Sequence, residues 1–313
     1  MKPPQRCLTP TTVGQLKSYQ SCIGLDLMLS ETVHPKADIP NHPARRPTPD
    51  PGIRRTVSVT KTIVYEQPLN ERTRTLLRLE HLFKQMAHHM RGGTVWDSRS
   101  VLTTLMDVLS IFARSDLKSE VMKEMERHTA NLSRMKQVPG VDHERLEVVL
   151  GELASLTDRL YAQKGQTAAE LRRNEFLKTI MQRSSIPGGS CDFDVPVYHW
   201  WLKQPVERRN AELNHWLSSF DLIAEAVDTI LRLTRQSGNP NREIAEGGFF
   251  QQSLDANIPC QLVRVAVDER LPYFAEISGG KHRFTVRFIA PSADGRQVQA
   301  EQDIPFELSR CVI

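Results

Sequence analysis

From Pro68 onward, apolar residues recur at three- and four-residue steps. Leu76, Leu79, Phe83, Met86 and Met90 share one face of a helix, with Asn70 suited to its N-cap and Gly92-Gly93 to its stop. The same period predicts a second helix from about Ser98, with Leu102, Leu105, Leu109 and Phe112 turned inward. A third begins after Ser115, carrying Leu117, Val121, Met125, Leu132 and Met135, and "VPGVD" ends it. Asp142 caps a fourth with Leu146, Val149, Leu153 and Leu160, and a fifth covers "NEFLKTIMQR". The stretch "SIPGGSCDFDVPVYHWWL" interrupts the pattern and reads as a structural loop, with Tyr198, Trp200 and Trp201 packing between subdomains. One or two further helices follow over "PVERRNAELNHWLSSFDLIAEAVDTILRLTRQSG", whose stripe is Trp216, Leu217, Phe220, Ile223, Val227, Ile230 and Leu231. Short connections between amphipathic helices imply a bundle, in which the methionines at 86, 90, 122, 125 and 135 act as core filler.

After Gly238 the period changes to two. "CQLVRVAVDE", "KHRFTVRFIA" and "DIPFELSRCVI" read as strands, and Asp294-Gly295 is the dipeptide expected of a hairpin connection. Near the front, "VSVTKTIVYEQ" reads as another strand of the same sheet. The expected class is α+β: a mainly helical bundle plus a small, mostly antiparallel β-sheet. The expected organisation is a disordered Pro-rich tail over 1–57 and a strand over 58–67 that joins the C-terminal β-domain. A helical domain follows over 68–190, then helices plus the β-domain over 191–313.

Charge and composition change this picture at one place. The chain has 313 residues and a formal net charge of +4. Residues 1–57 hold eight Lys/Arg against four Asp/Glu and so account for all of it, together with nine of the 19 prolines. Proline removes backbone donors and the segment offers little to bury, hence the expectation of disorder. The rest is electroneutral, which disfavours bulk nucleic-acid binding. Five scattered cysteines, with no CxxC and no Cys/His pair at ligand spacing, indicate reduced thiols rather than disulfides or zinc. Nothing approaches the length of a membrane span. Cys191 and His199 invite a nucleophilic reading, but Asp192 and Asp194 surround the thiol with negative charge, which opposes thiolate formation.

The stretch "ISGGKHRFTVRF" (277–288) poses the sharpest chemical question. A phosphate-gripping loop needs its glycines and lysine on the turn from a strand into a helix. Here Gly279-Gly280-Lys281 leads into a strand, so that chemistry is excluded. Phe284, Val286 and Phe288 point to one face of this strand and Arg283, Thr285 and Arg287 to the other, with Lys281 and His282 beside them. Two readings stay open on the residues alone. The basic face takes carboxylates of a partner peptide, or its arginines pair with the protein's own carboxylates.

Five separated stretches, "EQPLNERTRTLLRLEHLF", "VPGVDHERLE", "SIPGGSCDFDVPVYHWWL", "LRLTRQS" and "ISGGKHRFTVRF", resemble in sequence and order the ZapD family of bacterial cell-division proteins. The likeness runs from about residue 62 to the C-terminus. It implies a cytoplasmic, mid-cell, Z-ring-associated protein without catalytic activity, cofactor or metal. Its expected partner is the C-terminal tail peptide of FtsZ, and as a homodimer it would bundle FtsZ filaments. It implies no nucleic acid and no direct membrane insertion. Carried over by motif, the peptide-binding residues are Arg78 in "LLRLEH", Arg114 in "FARSD", His199 in "YHWW", and Arg283 and Arg287 in "KHRFTVRF", with Arg74 and Lys281 as additions. Two departures stand out: residues 1–57 have no counterpart in the family pattern, and Glu175 occupies a position where some relatives carry arginine. The competing reading is a nucleic-acid- or membrane-surface module acting through the basic tail. An enzyme ranks third, for want of any catalytic constellation or cofactor fingerprint.

Overall fold

A computed structural model describes residues 61–312, apart from 115, 139–140, 164, 166, 256–257 and 293–294. The expected tail over 1–57 lies outside the described residues, as does Asp294 of the expected turn pair.

Helix starts follow local capping chemistry. Helix α1 (Glu71–His89) is capped by Asn70, whose side chain accepts the Thr73 N–H at 2.8 Å. Helix α2 (Val95–Arg114) starts a turn earlier than its apolar period suggests. The reason is a reciprocal cap: the Thr94 hydroxyl accepts the Asp97 N–H at 3.0 Å while the Asp97 carboxylate accepts the Thr94 N–H at 3.1 Å. Asp116, Asp142 and Asn174 cap α3 (Leu117–Arg134), α4 (His143–Ala162) and α6 (Glu175–Ser184). A short α5 (Ala169–Arg173) precedes α6. The presumed interrupting loop contains α7 (Pro196–Leu202), which Pro196 opens at a first-turn position where a missing N–H costs nothing. Helices α8 (Val206–Leu217) and α9 (Asp221–Gln236) follow, joined by a 3₁₀ turn.

These helices bury one continuous cluster that runs from Leu76 to Leu233. The expected boundary near 190 therefore does not separate two cores. Tyr198 and Trp201 on α7 and Trp216 on α8 pack around Phe176 of α6, with ring centroids 5.6–6.1 Å apart. They lie inside the helical layer, not between subdomains. Trp200 turns outward and is 53% exposed, with the Arg208 guanidinium 5.2 Å from its ring. Met86 and Met125 are buried as expected, whereas Met135 falls on the 3₁₀ turn after α3 and is 43% exposed.

The strands form two antiparallel sheets where one was expected. The first has the order β1-β4-β8-β2: β1 (Thr62–Pro68), β4 (Leu262–Asp268), β8 (Ile304–Cys311) and β2 (Pro240–Ala245). The second has the order β3-β6-β5, with β7 also on β6: β3 (Phe249–Ser253), β6 (Arg283–Pro291), β5 (Phe274–Gly279) and β7 (Gln297–Gln299). Val263, Val265 and Val267 on β4, Ile304, Phe306 and Leu308 on β8, and Phe284, Val286 and Phe288 on β6 share one buried cluster. Alternate residues of these strands face this cluster, so the inner faces of the two sheets are satisfied by packing together.

The second face of the first sheet meets the helices through charge. Arg235 near the end of α9 donates to Glu66 of β1 (2.9 Å) and Glu80 of α1 (2.7 Å), and Arg264 of β4 reaches the same Glu66 at 2.9 Å. Burial lifts the Glu80 carboxyl, but the Arg235 and Lys84 contacts outweigh it and hold its pKa below the usual range. Cys311 on β8 is buried beside this seam, and burial pushes its thiol up to about 12.

Candidate partner-binding site

Strand β6 presents its basic residues as the alternation predicts. Phe284, Val286 and Phe288 are fully buried while Arg283 and Arg287 are exposed. The register places Arg287 opposite Glu276 of β5, and the two form an ion pair. One of the two open readings thus applies to Arg287: it is held by a carboxylate of its own sheet. Arg283 lies opposite Ser253 of β3 and Lys281 in the β5–β6 connection, and neither makes an ion pair among the described residues. Both line a cavity of ≈ 440 Å³ together with His282, Gln251, Ser278 and Thr285.

Arg74 and Arg78 lie in the first half of α1. Arg74 pairs with Glu71, whereas Arg78 is exposed and makes no ion pair among the described residues. A second groove of ≈ 520 Å³ runs between α1, the end of α2 and the start of α3; Arg72, Arg78, Ile111, Glu120 and Lys123 line it. One of its lining residues, Arg72, is held by the buried Glu124 at 2.7 Å. Burial raises the Glu124 pKa, but the His128 ring at 3.6 Å and the Arg127 and Arg72 guanidiniums outweigh it, so the carboxyl stays far below its usual range. Arg114 is the last residue of α2, three positions beyond Ile111.

These positions share one end of the molecule. The β5–β6 connection closes against the link into α1: a Cβ added at Gly279 would stand 2.8 Å from Leu69 Cδ2. Phe284 Cβ would stand equally close at 2.8 Å, so glycine is required there by close approach, which is the role of one residue of the Gly-Gly-Lys stretch. His199 stands elsewhere. It sits on α7, 3.8 Å from Asp192 through Nδ1. That helix packs at the start of α2, where the Arg99 guanidinium lies 4.9 Å from the Tyr198 ring. The end of α1 is there too, since His89 contacts Asp97 at 3.2 Å. The 19 residues of α1 span about 28 Å, so one chain does not bring His199 together with Arg74 and Lys281. Glu175 opens α6 and pairs with Lys178 at 2.7 Å, an exposed contact.

Sequence reasoning missed Lys123, Gln251 and Ser278. Each is an ordinary polar residue on a solvent face; Lys123 and Gln251 come beside the candidate arginines only through packing of distant segments, and Ser278 through the β5–β6 hairpin. No group of three metal-ligating side chains occurs among the described residues, and none of their helices is long and apolar enough to cross a membrane.

Comparison with known proteins bears on the same region. A family model described as "ZapD: Cell division protein" matches residues 77–287, which includes every candidate residue except Arg74. The cell division protein ZapD of Methylococcus capsulatus is 46% identical over 251 residues, spanning 80% of this chain and 98% of that protein. Those of a Janthinobacterium species and of Ralstonia pickettii are each 38% identical, over 249 and 250 residues, spanning 80% of this chain and 99% of each relative. The chain therefore belongs to the ZapD family of cell division proteins.

Proposed function

We propose that this division protein captures the C-terminal tail peptide of FtsZ and, as a homodimer, crosslinks FtsZ filaments into bundles at the mid-cell division site in the cytoplasm, with no catalysis and no cofactor of its own. The observation that carries the reading is Arg283. It projects from a central strand paired on both sides, has no ion-pair partner among the described residues, and lines a cavity with Lys281 and His282.

Arginine binds a carboxylate with two parallel hydrogen bonds, so acidic side chains of an extended peptide suit this face. Arg78 and the groove beside it extend the basic surface around the end of α1, and Ile111 offers an apolar contact within it. Arg287 contributes less, because binding a peptide carboxylate competes with Glu276. A symmetric dimer carries two such surfaces on one body, and many tails along a filament multiply modest single-site affinities.

The test is co-sedimentation with GTP-assembled FtsZ, intact or lacking its C-terminal tail. Pelleting with intact filaments alone is the expected result. Equal pelleting with both forms moves the site to the filament body, and pelleting with neither rejects the reading.

A further inference from the structure

A further cavity lies between the end of α2, where the candidate Arg114 stands, the first turn of α3 and the link from α4 to α5. It measures ≈ 590 Å³, and its polar lining includes Lys118, Ser119, Thr167 and Arg172, with Asp116 at one side. This lining is rich in donors. Lys118 Nζ donates to the Gln163 carbonyl at 2.5 Å and Arg172 Nη2 to the Phe112 carbonyl at 3.1 Å, which leaves each cation further hydrogens to give. Arg172 Nε has no partner among the described residues. Thr167 is only 6% exposed, and its Oγ1 also lacks a partner among them.

Both Asp116 oxygens are engaged at the N-cap, accepting the Ser119 N–H at 3.3 Å and its hydroxyl at 2.6 Å. Among the described lining residues, one carboxylate stands against two cations, a net positive balance. The start of α3, an 18-residue helix, adds its positive dipole end. Donors without acceptors in a buried setting are costly, and a ligand that only accepts removes the cost.

We propose that this cavity binds a phosphoryl oxyanion, either free phosphate or the end of a small phosphorylated metabolite. Lys118 on α3 approaches from one segment, and Thr167 and Arg172, before and within α5, approach from another. That arrangement suits the several oxygens of a tetrahedral phosphoryl group better than the two coplanar oxygens of a carboxylate. None of these three residues is among the peptide-binding candidates, and phosphate binding is read without FtsZ, so the two proposals are tested separately.

The test titrates the full-length protein with inorganic phosphate, with glucose 6-phosphate and with acetate, against sodium chloride of matched ionic strength, reading the thermal midpoint. Phosphate is expected to raise the midpoint with dose while chloride and acetate do not; stronger binding of the ester would identify a metabolite as the source. Thr167→Val, which keeps the side-chain shape, and Lys118→Gln should each weaken phosphate binding about tenfold. Phosphate should also shift the amide NMR signals of Thr167 and Lys118 in the unmodified protein, a readout independent of how the variants fold. No shift beyond that of chloride, equal shifts with acetate, unchanged affinity in both folded variants, or unmoved amides would each overturn the assignment.

Discussion

Arg283 and Arg287 differ only in what the neighbouring strand places opposite them. Alternation along β6 turns both outward, but the β5 register supplies Glu276 to Arg287, whereas the β3 register sets the small Ser253 opposite Arg283. Arg283→Ala should therefore reduce FtsZ bundling several-fold in light scattering, and Arg287→Ala should reduce it less. Both variants should keep the parental melting temperature, since exposed pairs contribute little to stability. A matching loss of stability would reassign these arginines to structure. Asp221 makes a residue-scale prediction of opposite kind. Burial, with help from Glu225, pushes its carboxyl up to about 6, and one of its oxygens is buried without a partner among the described residues. The folded pKa lies above the unfolded value of about 3.9, so stability falls as pH rises between the two and stays lower above. Asp221→Asn should raise the melting temperature at pH 8 by about 2–4 °C, with the gain vanishing toward pH 4. A carboxylate in the first turn of α9 is otherwise favourable, which keeps the gain small.

At the scale of elements, the helices were the most legible part because their signals are local. Asn70 and Asp142 could be read as caps from position alone. The start of α2 could not, since the Thr94–Asp97 cap overrides the apolar period. Helix α7 was hidden by proline, glycine and aspartate around a short aromatic run, whose helical state is secured by stacking on Phe176 and Trp216. Four strands, β2, β3, β5 and β7, escaped notice because they are short and half-exposed. The joint between sheet and helices rests on Arg235, which lies in the "LRLTRQS" stretch. Arg235→Ala leaves Glu66 and Glu80 partly buried without their shared cation and should cost about 3 kcal/mol in urea denaturation. Adding Glu66→Gln and Glu80→Gln to that variant should recover part of the loss. No recovery would mean that Arg235 acts through packing of its stem.

For the whole molecule, a binding surface made of exposed arginines implies that affinity depends on salt. Screening shortens from about 10 Å at 0.1 M to about 3 Å at 1 M, so FtsZ bundling should fall steadily as sodium chloride is raised across that range. Persistence at high salt would point to apolar contacts as the main source of affinity. Deleting residues 1–57 separates this from the competing reading of a basic-tail module. Bundling should survive the deletion, whereas nucleic-acid or membrane association driven by the tail would be lost.

What the sequence alone determined is whatever depends on neighbours along the chain: the helical and strand periods, the α+β class, the inward face of β6, and a family likeness carried by separated motifs. Pairing between distant segments was decided only by the tertiary structure. It split the strands into two sheets and gave Arg287 a carboxylate while leaving Arg283 without one. It also set Arg74, Arg78, Lys281 and Arg283 at one end of the molecule and His199 about a helix length away, and assembled the Arg235 seam from three remote stretches. The physical reason is that side-chain period is a local property of the backbone, whereas register and packing are set by contacts between residues far apart in sequence, such as Glu66 and Arg264, 198 positions apart.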